Sequence, residues 1–96
     1  MLFRSGSGAP VPPQRRSKPR SPEHAALGEA LRTLRTEAKL SQEQLAEGAS
    51  TDLTQVGGIE RGVRNPSYTT LLRLAGALDT TVGKLTTLAD ELRAKA

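Results

Sequence analysis

From Leu27 onward the apolar residues recur at spacings of three and four, with no run of apolar-polar alternation. Such spacing paints one stripe on a 3.6-residue helix, whereas a half-buried strand needs a period of two. Leu27, Leu31, Leu34 and Ala38 make the first stripe, ending near Lys39. Ahead of it, Ser21-Pro22-Glu23 offer an N-cap, a proline at the first helical position and an acid facing the positive helix end. Leu40-Ser41-Gln42-Glu43-Gln44-Leu45 then encode a second start: Ser41 can cap the Gln44 amide, Gln44 can reach back, and Leu40 can staple onto Leu45. This second helix is expected over about 42–48, broken by Gly48-Ala49-Ser50-Thr51. Asp52 with Gln55 repeats the capping logic for a third helix, about 53–61, which Gly62 closes as a left-handed cap. Asn65-Pro66-Ser67 make a turn into a fourth helix bearing Leu71, Leu72, Leu74, Ala75 and Leu78. Thr81 caps a fifth, whose Val82, Leu85, Leu88, Ala89 and Leu92 keep helical spacing to near the C-terminus.

The expected fold is therefore all-α: a compact domain of five helices over residues 23–96. Composition agrees, because fourteen Leu and twelve Ala against four Val and one Ile favour helices over strands. With 96 residues there is room for one core only. Residues 1–22 hold five of the six Pro and almost nothing apolar beyond Leu2, Phe3 and Val11, so they read as a flexible Pro/Arg-rich arm.

Charge is divided between these two parts. The arm carries five Lys/Arg and no acid, whereas residues 23–96 carry nine Lys/Arg against ten Asp/Glu, so the net charge of +4 is largely the arm's. The arm is either an inert leader or an electrostatic tether to phosphates. No apolar stretch is long enough to span a bilayer or serve as a secretory signal, and the chain reads as soluble and cytoplasmic, with no membrane partner. Absence of Cys excludes a disulfide framework, a thiolate nucleophile and a Cys-ligated zinc site, and fits a reducing compartment. Two aromatic residues, Phe3 and Tyr68, are too few for a base-stacking platform. The sole histidine, His24, falls in the first turn of the first helix and reads as an exposed helix-start residue, and the carboxylates are scattered over polar faces. No enzyme, metal or cofactor is expected.

Two short helices joined by a turn of a few residues cross steeply, which is the helix-turn-helix arrangement. The segments Leu31-Arg32-Thr33-Leu34-Arg35, Leu40 to Ala46, Ile59-Glu60-Arg61-Gly62, Arg64-Asn65-Pro66-Ser67 and Leu71-Leu72-Arg73-Leu74-Ala75 resemble, in order, the helix-turn-helix domain of the phage repressor and Cro family, the XRE family. The resemblance covers Leu27 to Leu85. It implies a DNA-binding transcriptional regulator with the third helix in the major groove, the second across the backbone, and a homodimer reading two half-sites of double-stranded DNA.

Carried over residue by residue, the resemblance makes Gln42, Arg61, Arg64 and Asn65 backbone contacts; the alternative is a set of solvated side chains without a partner. Arg35 and Glu60 match the family's structural ion pair rather than readers of bases. At the start of the third helix Asp52, Leu53, Thr54 and Gln55 form the expected reading face, with Gly57 and Gly58 where family members often carry a polar or basic reader. Leu53 could touch a thymine methyl and Thr54 a base or phosphate, whereas Asp52 serves as an N-cap or pairs with cytosine. Direct readout is accordingly sparse. Ser50 stands where the family usually has a turn glycine.

Leu85, Leu88 and Leu92 extend the last apolar stripe beyond the family's minimal domain, so they are the expected dimer contact, unless the fifth helix folds back and buries them itself. A second functional class stays open, in which the helix-turn-helix scaffold binds a protein partner, as an antitoxin does, and no longer reads bases.

Overall fold

The computed structural model describes residues 18–96; the arm expected over 1–22 lies, for residues 1–17, outside them. Among the described residues there are five helices and no strand: α1 (Pro22–Glu37), α2 (Gln42–Gly48), α3 (Leu53–Glu60), α4 (Tyr68–Ala77) and α5 (Val82–Lys95). None is long and apolar enough to cross a membrane.

Every helix starts on a side-chain cap at the residue the sequence nominates. Ser21, Ser41, Asp52, Ser67 and Thr81 accept hydrogen bonds from the amides of His24, Gln44, Gln55, Thr70 and Lys84. At α2 the capping box is complete, since Gln44 Oε1 accepts from the Ser41 amide at 2.8 Å. At α3 only half of it forms, because the Gln55 carbonyl oxygen faces Arg64 Nη1 at 3.4 Å instead.

The first four helices end alike. After α2 the amide of Thr51 bonds Ala46 O at 2.9 Å and that of Ser50 bonds Glu47 O at 3.2 Å, with Ser50 left-handed at φ 55°. This is the Schellman closure, in which the residue past the cap adopts positive φ. The same pair of bonds closes α1 at Lys39 (φ 61°), α3 at Gly62 (φ 78°) and α4 at Asp79 (φ 56°). Only the α3 closure uses glycine, the residue that takes this conformation without steric cost.

The core is aliphatic. Leu31, Leu45, Val56, Ile59, Leu74 and Leu85 are its largest enclosed side chains. Around them α1 packs chiefly on α5 and then on α3, while α2 contacts α3 and α4. Close approach of α1 to α3 depends on Gly28, where a Cβ would overlap the carbonyl oxygens of Ile59 and Glu60. Glu23 and Arg93 join the start of α1 to the end of α5 through an exposed ion pair at 2.6 Å, of a kind that contributes little to stability.

One expectation needs correcting here. Leu85 is 0% exposed, and Leu88 and Leu92 lie half-buried against the same core. Leu85 is therefore enclosed by its own chain and not available to a second copy, while Leu88 and Leu92 keep part of their surface exposed.

Candidate nucleic-acid interface

Asp52, Leu53 and Thr54 form the exposed first turn of α3, and Gln55 is half-buried behind them. Leu53 is 45% exposed and presents its methyl groups to solvent from this turn. The Asp52 carboxylate accepts the Gln55 amide at 2.7 Å, so one of its oxygens is engaged in capping. Beyond this turn the helix sinks into the fold: Val56, Gly57, Gly58 and Ile59 are all buried.

Gly58, expected among the base-reading positions, is the floor beneath Arg64. A Cβ there would stand 2.5 Å from Arg64 Cγ and 2.8 Å from Cδ. The missing side chain lets the Arg64 stem lie across α3, which carries its guanidinium along the helix to Gln55 Oε1. Gly57 does the same for Arg61, whose Nη1 would be 3.1 Å from a Cβ. The adjacent glycines thus make room for two arginines rather than presenting readers themselves.

Gln42 begins α2, but its side chain is already occupied: Nε2 donates to Glu60 Oε1 at 2.9 Å. Glu60 also accepts from Arg35 Nε at 2.6 Å and Nη2 at 3.1 Å, while Arg35 Nη1 donates to Leu40 O at 2.8 Å. With the Arg35 and Glu60 side chains 13% and 4% exposed, this network ties α1, the α1–α2 turn, α2 and α3 together. It holds α3 at a fixed inclination and engages one N–H of the Gln42 amide, leaving its second N–H and its carbonyl oxygen without a hydrogen-bond partner among the described residues.

Two residues did not stand out in the sequence. His24 is part-buried rather than exposed, with Nδ1 2.7 Å from Ser21 Oγ and Nε2 3.1 Å from Asn65 Oδ1. His24 thus bridges Ser21 and Asn65, with the donor at each contact set by the imidazole tautomer. Arg20 is the other. Its amide donates to Gly62 O at 2.8 Å, bringing the segment before α1 onto the loop after α3. No local pattern announces either contact, since His24 and Asn65 are 41 residues apart in the chain.

At the C-terminal end of α3 and in the loop after it, the exposed charges are those of Arg61 and Arg64, while Asp52 is the exposed acid at its start. Arg61 and Arg64 are exposed, and among the described residues the ion pairs are those of Arg35 with Glu60 and Arg93 with Glu23. Unpaired guanidinium groups flanking an exposed helix start suit a polyanion with a groove, where phosphates take the arginines and base edges meet the helix.

Relatives point the same way. A family of described type "Helix-turn-helix" matches residues 31–85. Control protein C.SmaI of Serratia marcescens is 48% identical over 61 residues, 64% of this chain and 73% of that one. The immunity repressor protein of Bacillus phage phi105 is 44% identical over 52 residues, 54% of this chain but only 36% of the repressor. The crystal structure of the restriction-modification controller protein C.AhdI from Aeromonas hydrophila superposes with a TM-score of 0.67 at 45% identity, covering 68% of this chain and 98% of that one. By sequence match, relatives and fold, the chain belongs to the helix-turn-helix family of phage repressors and Cro, the XRE family, and is a DNA-binding transcriptional regulator.

Proposed function

We propose that two copies of this chain bind a two-half-site operator, each laying the first turn of α3 in the major groove, in the manner of a restriction-modification controller. The observation that carries this reading is the exposed Asp52-Leu53-Thr54 turn set beside the unpaired Arg61 and Arg64. Leu53 and Thr54 meet the bases, Arg61, Arg64 and Asn65 hold phosphates, and Asp52 caps the helix. Gln42 has a positioning role through Glu60, and its second amide N–H is available to a phosphate while that bond stands. The controller assignment is supported by two relatives, C.SmaI and C.AhdI, both above 40% identical and both named as control proteins.

The surface offered to the second copy is α4. Of the large apolar side chains exposed among the described residues, Leu53 belongs to the reading turn, leaving Tyr68 at 67% and Leu72 at 47% exposure one turn apart. Gly76, another turn on, opens onto free space. Antiparallel pairing of two α4 helices about a two-fold axis at Leu72 sets each Tyr68 ring over the partner's Gly76, a self-complementary contact of the kind two-fold dimers use.

Duplex binding by the wild type and by Arg61→Gln and Arg64→Gln variants tests the reading. Each variant should weaken binding to specific and random duplexes alike and lower the salt slope by about one unit per charge lost. Loss confined to one sequence would contradict the backbone role.

A further inference from the structure

Arg20, Gln55, Arg61, Val63, Arg64 and Asn65 line one open concavity of about 690 Å³ beside α3, and no carboxylate is among them. Three arginines thus line one surface without a carboxylate among its lining residues. Like charges brought together repel, and the fold gives Arg20 no ion-pair partner among the described residues to offset this. Yet Arg20 is not left to swing away. Its amide is fastened to Gly62 O at 2.8 Å, and Pro19 sits over Gly62, where a Cβ would come within 3.0 Å of the Pro19 Cβ. The next residue, Ser21, is fixed by capping α1, and the His24–Asn65 bond ties the same helix start to the same loop. The fastening is made by backbone atoms, so it places a side chain without using that side chain's chemistry.

We infer that Arg20 is a further DNA-phosphate contact, set beside Arg61 and Arg64 by its backbone bond to Gly62, so that the segment before α1 forms one wall of the DNA clamp. This rests on the proposed interface of α3 and its flanking arginines. The wall reaches from the C-terminal end of α3 to the N-terminal end of α1, and adds an outer phosphate to those held by the loop. A guanidinium fork suits phosphate oxygens, and an exposed one acts on affinity and salt dependence without reading sequence.

The test uses the full chain, with Arg20→Gln, Arg20→Lys and Arg61→Gln variants, a random-sequence duplex and its selected operator, and fluorescence anisotropy between about 50 and 200 mM salt. One phosphate contact changes the slope of log affinity against log salt by about 0.9, hence about 1.8 for a bound dimer. The wild-type advantage over Arg20→Gln should therefore shrink about 12-fold across that fourfold change in salt, equally on both duplexes. Arg20→Lys should keep most of the slope. The melting temperature of Arg20→Gln should hold or rise, because a repelling charge is removed; a purely structural Arg20 would lower it. An unchanged slope in Arg20→Gln beside a reduced slope in Arg61→Gln overturns the inference and leaves the interface standing. Unchanged slopes in both overturn the two together.

Discussion

Replacing Arg35 by alanine would strip Glu60 of two of its three side-chain hydrogen bonds, those from Nε at 2.6 Å and Nη2 at 3.1 Å, together with its counter-charge. Only the Gln42 amide at 2.9 Å would remain. Because the Glu60 side chain is 4% exposed, the carboxylate cannot regain water without α3 lifting from α1 and α2. Leu40 O loses its donor in the same step. Removing one partner of a buried pair costs about 3–5 kcal/mol, and the 13% exposure of Arg35 points to the lower end. At about 4–8 °C per kcal/mol for a domain of this size, a loss of about 3 kcal/mol lowers the melting temperature by roughly 12–24 °C. Urea and thermal unfolding followed by far-ultraviolet circular dichroism measure this directly. Gln42→Ala, which removes one neutral donor to a charged acceptor, should cost less, about 1.5–3 kcal/mol. Changing Arg35 and Glu60 together to leucine should recover much of the single-variant loss, since no unpaired charge is then left buried. An Arg35→Ala protein within about 1 kcal/mol of wild type, or a double variant no more stable than the single one, would refute the reasoning.

Other substitutions separate packing from function. Gly28→Ala drives a Cβ into the carbonyl oxygens of Ile59 and Glu60, backbone atoms that move only if α3 does, so unfolding measurements should show a loss of about 1–3 kcal/mol. Gly58→Ala presses first on Arg64 Cγ and Cδ, so the whole Arg64 stem must change rotamer; alanine favours the helix by up to about 1 kcal/mol, which offsets part of that cost, and duplex affinity should fall several-fold in titrations while stability changes by about 1 kcal/mol or less. Loss of stability without loss of affinity would sink that assignment. Tyr68→Glu and Leu72→Glu should give folded monomers in sedimentation experiments, whereas Leu88→Glu should chiefly destabilise the fold, since Leu88 is half-buried against the core. Dimers persisting in both α4 variants would move the contact elsewhere.

The helix starts were legible because each needs a short polar side chain at one fixed offset, and Ser21, Ser41, Asp52, Ser67 and Thr81 all do what that offset requires. The end of α2 at Gly48 fell where the sequence put it, but only at Gly62 did the closing residue itself announce the left-handed cap. Lys39, Ser50 and Asp79 close their helices in the same left-handed conformation without the residue type that signals it. The fifth helix shows the limit of periodicity: spacing identifies an apolar face but not what covers it, and α1 covers this one. At the interface, Leu53 and Thr54 are exposed where the pattern put them, yet the partners of Gln42 and Asn65 depend on which elements meet in space. The paired glycines, read along the chain, suggest missing readers; in three dimensions the space at Gly58 is taken by the Arg64 stem, and Gly57 lies close under the end of Arg61.

The most direct test of the account is binding-site selection from random duplexes at two salt concentrations, run with the wild type and with Leu53→Ala and Thr54→Ala. Two symmetry-related half-sites about one helical turn apart, roughly 34–36 Å, are expected, with steep loss of unselected binding as salt rises. Each variant should shift preference by roughly 1–3 kcal/mol at one or two positions per half-site while leaving the spacing intact. Selection of no sequence at either salt, or the same preference in wild type and both variants, would contradict the claim that the first turn of α3 reads the operator.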